Sequence, residues 1–206
     1  MLARHFDPTS GQISIDSKAL PNYSLQNYRH KIGLVPQDVF LFSDTIASNL
    51  KFGSEDKQEP SLDALRKVCK SAHVLHNIEE FEHGFDTILG ERGVNLSGGQ
   101  KQRISIARAL LRDPKLLILD DCLSAVDTET EEIILHELEG FAKNRATIIV
   151  SHRISTIRNA TKIIVLEAGR VIESGSHANL LAQKGAYFDM YQLQLQQEQE
   201  ANNTGA

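Results

Sequence analysis

The chain has 206 residues, 41% of them hydrophobic and 24% charged, with a formal net charge of −5. That size and balance suit one or two globular units, give no electrostatic reason to expect nucleic acid, and include no apolar run long enough to cross a bilayer. Residues 1–5 lack the apolar stretch of a secretory signal, and Cys69 and Cys122 form no metal or redox spacing, which points to a reducing compartment.

Taken in order, residues 1–6 read as the last turn or two of a helix, closed by Asp7-Pro8-Thr9-Ser10-Gly11. Residues 12–16 alternate and read as a strand. Residues 31–35 read as a buried strand ending at Pro36-Gln37, and the Phe40-Leu41-Phe42 patch beyond it is expected to be partly exposed. Residues 54–60 are polar and read as a loop. A helix follows from Ser61, with Leu62, Leu65, Val68 and Cys69 on one face. His73 and His76 stand three apart, but two ligands without a carboxylate make a weak metal site. Residues 87–93 read as a turn with a solvated Glu91-Arg92 pair.

Ser97-Gly98-Gly99-Gln100 is the first stretch that carries chemistry. Ser97 is a good N-cap, and two glycines bring bare backbone N–H groups to the start of a helix. A helix N-terminus carries unpaired donors and partial positive charge, so an anion fits there. Taken alone, the same residues describe a Gly-rich turn capping a surface helix. The helix runs on through Ile104, Ala107 and Leu111 and stops at Asp113-Pro114.

The second such stretch is Leu116-Leu117-Ile118-Leu119-Asp120-Asp121. A continuous apolar run suits a strand covered on both faces, and two carboxylates at its C-terminal end are costly unless they bind metal or donors. Ligands of open α/β sheets bind at that end, which makes Asp120 a Mg²⁺ carboxylate candidate. Thr128-Glu129-Thr130-Glu131 opens an acidic helix start, with Ile133, Ile134, Leu138 and Phe141 as its apolar face. Residues 146–150 form a third buried strand ending in Ser151-His152; a lone histidine is ordinarily structural or solvated. Residues 162–166 and 170–173 read as a strand pair, Ser176 caps a short helix, and residues 185–195 form a last helix before a polar tail over 196–206 that frays.

Together the two stretches resemble the ATP-binding cassette family. Leu96-Ser97-Gly98-Gly99-Gln100 matches its signature loop, residues 116–120 match its Walker B strand, and the likeness continues along nearly the whole chain. The resemblance implies an α/β fold: a P-loop NTPase-like parallel sheet flanked by helices, with an inserted α-helical signature subdomain. The ATP-binding core would be 1–43 with 113–206, the helical subdomain 44–112, and 196–206 a disordered tail. It implies ATP and Mg²⁺ as ligands. Asp120 and Gln37, which matches the Q-loop, would hold the metal. Asp121, Gln37 and His152, which matches the H-loop, would be the catalytic residues. Ser97, Gly98, Gly99 and Gln100 would serve nucleotide held by another cassette. Ser124, Ala125 and Asp127 resemble the D-loop that crosses between cassettes.

Residues 87–93 resemble the X-loop of the exporter branch. The implied function is the nucleotide-binding domain of an exporter, coupling ATP binding and hydrolysis to transmembrane export, at the cytoplasmic face of the inner membrane. Its implied partners are membrane-spanning domains and a second cassette. The 206 residues contain no G-x-x-x-x-G-K-[ST]. In the family a segment like residues 4–11 lies shortly after that Walker A loop, so the loop is expected upstream of Met1, and the chain alone is expected to be inactive as an ATPase. Asp121 stands where an active cassette has Glu, as in the degenerate half of heterodimeric multidrug or lipid exporters. Its carboxylate is one methylene short, enough to slow hydrolysis. The alternative is a non-catalytic partner cassette that supplies the signature loop to a competent subunit. A soluble DNA-repair cassette would need a long coiled coil, and no sustained heptads are present.

Overall fold

The computed structural model describes residues 1–52, 54, 59–143 and 145–204, with the side chains of 198 and 201–204 outside the description. Two compact units divide the chain, residues 1–148 and 149–206.

In the first unit a short hairpin, β1 (Ser14–Ile15) and β2 (Lys18–Ala19), leads to α1 (Leu25–His30) and β3 (Ile32–Val35). Helices α2 (Ile46–Lys51), α3 (Leu62–Ser71) and α4 (Leu75–Glu79) follow, then α5 (Gly98–Leu111), β4 (Leu116–Asp120), α6 (Thr128–Ala142) and β5 (Ala146–Val150). The sheet order is β3-β4-β5, and β3 pairs parallel with β4 in the register Val35↔Leu119. Caps set the helix starts: Thr45, Ser61, Ser97 and Asp127 each accept the N–H three residues on.

Helix α5 lies at the centre of this unit, packed against α2, α3 and β3. Ile104, Ile106, Ala107, Ala109 and Leu110 are all buried, so it is covered over more than the single stripe expected. Gly33 lets its end come close: a Cβ there would lie 2.8 Å from Pro114 Cγ and 3.2 Å from the Ala109 carbonyl. A second cluster joins Leu20, Tyr28, Ile32 and Ile118.

Several local expectations are corrected. Residues 1–6 form turns, not helix: Arg4 takes φ +52°, and its side chain donates to Asp7 and to the Leu20 and Tyr23 carbonyls. Leu62 and Ile133 point outward, while Leu65, Cys69, Ile134 and Leu138 carry the faces. The interior of β5 is only half-buried and Val150 is exposed, because β5 is the terminal strand of its sheet. The polar loop expected over 54–60 falls largely outside the described residues.

In the second unit α7 (Ile154–Ile157) precedes β6 (Ile163–Glu167) and β7 (Arg170–Gly175), an antiparallel pair turned by Ala168 and Gly169, both at positive φ. Helices α8 (His177–Gln183) and α9 (Ala186–Thr204) complete it, around Ile154, Ile163, Leu180 and Tyr187. Helix α9 continues to Thr204, past the stop expected at Leu195. Gln, Glu and Ala are good helix formers, so polarity alone does not end it. Its start is capped from a distance: Glu173 accepts from the Ala186 and Tyr187 N–H groups.

Candidate functional site

Parallel pairing in register carries β3 and β4 to the same edge of the sheet. Gln37 follows the end of β3, and Asp120-Asp121 the end of β4, so the three stand at neighbouring strand ends. Gln37 and Asp120 are exposed and Asp121 is half-buried. Asp121 takes φ +45°, a left-handed conformation that Asp tolerates better than most residues. Its carbonyl accepts from Ser124 Oγ at 3.0 Å, which closes the turn out of the strand. Among the described residues no three His, Cys, Asp or Glu side chains form a metal cage. Cys122, next in sequence, is an inert thiol; burial pushes it up to about 12.

Ser97 and Gln100 form a reciprocal capping box. The Gln100 N–H donates to Ser97 Oγ at 3.2 Å, and the Ser97 N–H donates to Gln100 Oε1 at 2.9 Å. Ser97 and Gly98 are exposed at this end. The Ser97 hydroxyl proton and the Gln100 amide protons remain able to donate outward. The positive end of a fourteen-residue helix is therefore exposed at Ser97 and Gly98.

The two glycines also have a packing reason. A Cβ on Gly98 would lie 3.3 Å from Ala125 Cβ, and one on Gly99 would lie 2.9 Å from the Ala125 carbonyl oxygen. The structure thus brings the Ser97–Gln100 loop against the 124–127 turn. Gln102 bonds them: its Oε1 accepts the Ala125 N–H at 3.0 Å, and its Nε2 donates to Ser124 Oγ at 3.3 Å. Gln102 is buried and was missed in the sequence. The available signal was a polar residue three and four positions beyond the two glycines, on their face of the helix.

Asp127 caps α6 and accepts the Thr130 N–H at 2.9 Å. The Thr130 backbone and side-chain bonds hold its carboxyl below the usual range, with a smaller contribution from Arg103. Arg103 donates to the Gly99 and His73 carbonyls, so it joins the start of α5 to the turn between α3 and α4. Burial lowers His73, helped by the charges of His76 and Arg103 and opposed by Asp127 and Glu129.

The segment after Gln37 is fastened to the same helix. Arg108 donates to the Phe40 carbonyl at 3.0 Å, the Asn49 carbonyl at 2.8 Å and Asn49 Oδ1 at 3.1 Å. The Asp44 carbonyl accepts from Leu89, and Thr87 accepts from Ile46, so the 87–93 turn pairs with this segment. Asn95 closes the turn, accepting from Gly90 and donating to Ile88. Leu41 is fully buried, and a Cβ on Gly93 would lie 3.2 Å from its Cδ1.

His152 belongs to the second unit. Its ring is exposed, and its carbonyl accepts from Gln194 Nε2 at 2.7 Å, while Gln194 Oε1 accepts the Ile154 N–H at 2.9 Å. Gln194 of α9 therefore clamps the histidine's backbone, a partner forty-two residues away in sequence.

The ABC transporter family model matches residues 1–124. Among curated proteins, the ATP-dependent lipid A-core flippase of Burkholderia pseudomallei strain 1710b is 44% identical over 198 residues, 96% of this chain and 33% of that protein. The flippase of the same name from Thiobacillus denitrificans is 45% identical over 197 residues, 96% of this chain and 34% of that protein. Among solved structures, a bacterial Atm1-family ABC exporter with ATP bound superposes with a TM-score of 0.89 at 40% identity, covering 94% of this chain and 34% of that one. The chain thus spans about a third of the length of the relatives it matches.

Proposed function

The chain belongs to the ABC transporter family, and from that premise we propose that it is the nucleotide-binding domain of an exporter. It would couple ATP binding and hydrolysis to transport through a membrane-spanning part, at the cytoplasmic face of the inner membrane. The fold is of the P-loop NTPase kind, and the family implies ATP, ordinarily with Mg²⁺, as its ligand. We assign residues 1–43 and 113–206 to the ATP-binding core and 44–112 to the helical subdomain; 196–204 then belong to α9.

The residues present fit that ligand. Asp120 and Gln37 would hold Mg²⁺, which neutralises charge on the phosphates when bound. Asp121 would orient and polarise the attacking water, and the exposed His152 would contact the terminal phosphate. Ser97, Gly98, Gly99 and Gln100, of which Ser97 and Gly98 are exposed, would stabilise nucleotide held by a second cassette. Ser124, Ala125 and Asp127 would line the surface between cassettes, with Gln102 keeping that surface and the signature loop in one rigid piece. The shorter Asp121 makes this chain's own site the slow one of a heterodimer.

One observation carries the reading: Gln37 and the Asp120-Asp121 pair stand at neighbouring strand ends along one sheet edge. In the assembled transporter Asp121→Glu should raise ATP turnover, by up to about a hundredfold if the missing ångström is the whole deficit. Asp120→Asn should abolish Mg²⁺-dependent nucleotide binding at this site. Unchanged turnover in the first variant refutes the role of Asp121, and unchanged Mg²⁺ dependence in the second refutes that of Asp120.

A further inference from the structure

His152 stands in the turn between β5 and α7, two residues before the buried Ile154. The peptide unit that follows it is bonded at both ends. Its N–H, that of Arg153, donates to Ser151 Oγ at 3.0 Å, and its carbonyl, that of His152, accepts from Gln194 Nε2 at 2.7 Å. Ser151 Oγ lies 3.3 Å from Thr156 Oγ1, and Thr156 is buried. A peptide unit is planar and includes the Cα on either side, so holding both its ends holds the His152 Cα, from which the exposed ring projects.

The other end of the Gln194 amide caps the next element. Its Oε1 accepts the Ile154 N–H at 2.9 Å, the first of α7, where Arg153 supplies no side-chain cap. An amide can do both because it has one acceptor and one donor end; a carboxylate only accepts, and an ammonium or guanidinium only donates. The helix that carries Gln194 is itself fastened. Glu173 accepts from its first N–H groups, His177 Nδ1 lies 2.8 Å from the Tyr187 hydroxyl, and Tyr187 and Tyr191 pack with Ile154, Ile163 and Leu180. Tyr187, Tyr191 and Gln194 follow at steps of four and three, on one face of α9. The histidine's backbone is thus tied to a helix that the core already holds.

We propose that Gln194 is a positioning residue for the terminal phosphate of bound nucleotide: by gripping the His152 carbonyl it aims the ring that makes the contact, and it makes that contact depend on α9. This rests on the reading of His152 as the phosphate contact and adds the element that orients it. Gln194 touches no nucleotide; it acts through the histidine alone. A bond from a ring to a phosphate is directional, and a misplacement of about 1 Å is enough to weaken it severely. ADP has no terminal phosphate, so loss of the clamp should weaken ATP and leave ADP as it was. A general loosening of the fold would weaken both.

The test uses the assembled transporter, with photolabelling of this chain by an azido-ATP probe competed by ATP or by ADP, and hydrogen exchange of residues 151–157 followed by mass spectrometry. Gln194→Leu removes both bonds: ATP should compete about fivefold less well, ADP should be unchanged, and the segment should exchange faster. Gln194→Glu separates the two bonds, since its carboxylate still accepts from Ile154 but offers the His152 carbonyl no donor. It should lose ATP affinity to the same extent while the segment exchanges at close to the original rate. ATP affinity unchanged in either variant, ATP and ADP weakened together, or unaltered exchange in Gln194→Leu overturns the proposal. His152→Ala tells the two readings apart. ATP weakened in His152→Ala but not in the Gln194 variants sinks the clamp alone; ATP unchanged in His152→Ala sinks the phosphate contact and the clamp with it.

Discussion

Gln102→Leu is the most informative perturbation of the link between the Ser97–Gln100 loop and the 124–127 turn. Leu and Gln have similar helix propensities and volumes, so α5 itself should be little affected. Two bonds are lost, of 3.0 and 3.3 Å, each contributing about 1 kcal/mol net. Leaving the Ala125 N–H unpaired adds to the loss, and burying the leucine side chain offsets about 1 kcal/mol of it. The expected destabilisation is therefore about 1–2 kcal/mol, local to residues 121–127. Hydrogen exchange reads it directly: the Ala125 amide should exchange about 5–30-fold faster, while amides of β3 and β4 keep their protection. Gly99→Ala should act on the same turn from the other side, since its new Cβ would meet the Ala125 carbonyl at 2.9 Å. Unchanged protection at Ala125 in Gln102→Leu would show that the bonds contribute nothing and that the two segments are not one piece.

In the second unit, Glu173→Ala removes the acceptor for the first N–H groups of α9 and should cost about 1–2 kcal/mol in urea unfolding. Gly185→Ala would place a Cβ on the same carboxylate, so it should cost about as much, and the double variant should cost little more than either alone. His73 has a folded value lowered by burial first, so the unfolded chain binds its proton more readily. Stability should be full above the ordinary histidine value near 6.5 and should fall as pH drops through it. His73→Asn, which tolerates the positive φ there, should flatten that slope in thermal melts between pH 7 and 5. Asp127 is lowered by its bonds to Thr130, so its contribution should persist above about pH 4 and be lost on further acidification. Asp127→Asn, still able to cap α6, should remove that acid-side loss.

Much of the molecule was legible because its signals are short-range. The caps at Ser61, Ser97, Asp127 and Ser176 each bond three residues ahead, within reach of the chain's own local geometry. The run 116–119 is apolar at every position, and that alone marks a strand covered on both faces and puts Asp120-Asp121 at its end. Errors came where locality fails. Arg4 adopts a left-handed φ and reaches carbonyls sixteen and nineteen residues away, which no helical period announces. The composition of β5 matches that of a buried strand, yet its exposure follows from its place at the end of the sheet.

By itself the sequence determined the motifs, their helix starts and strand ends, and with them the family to which the chain belongs. Only the tertiary structure decided how those pieces are joined: Gln102 to the 124–127 turn, Arg108 to the segment after Gln37, Gln194 to His152 and Glu173 to the start of α9. Each of those bonds spans between thirteen and sixty-eight residues of sequence. A period of 2 or 3.6 describes which face is apolar; it does not say which distant carbonyl or amide a polar side chain on that face will meet.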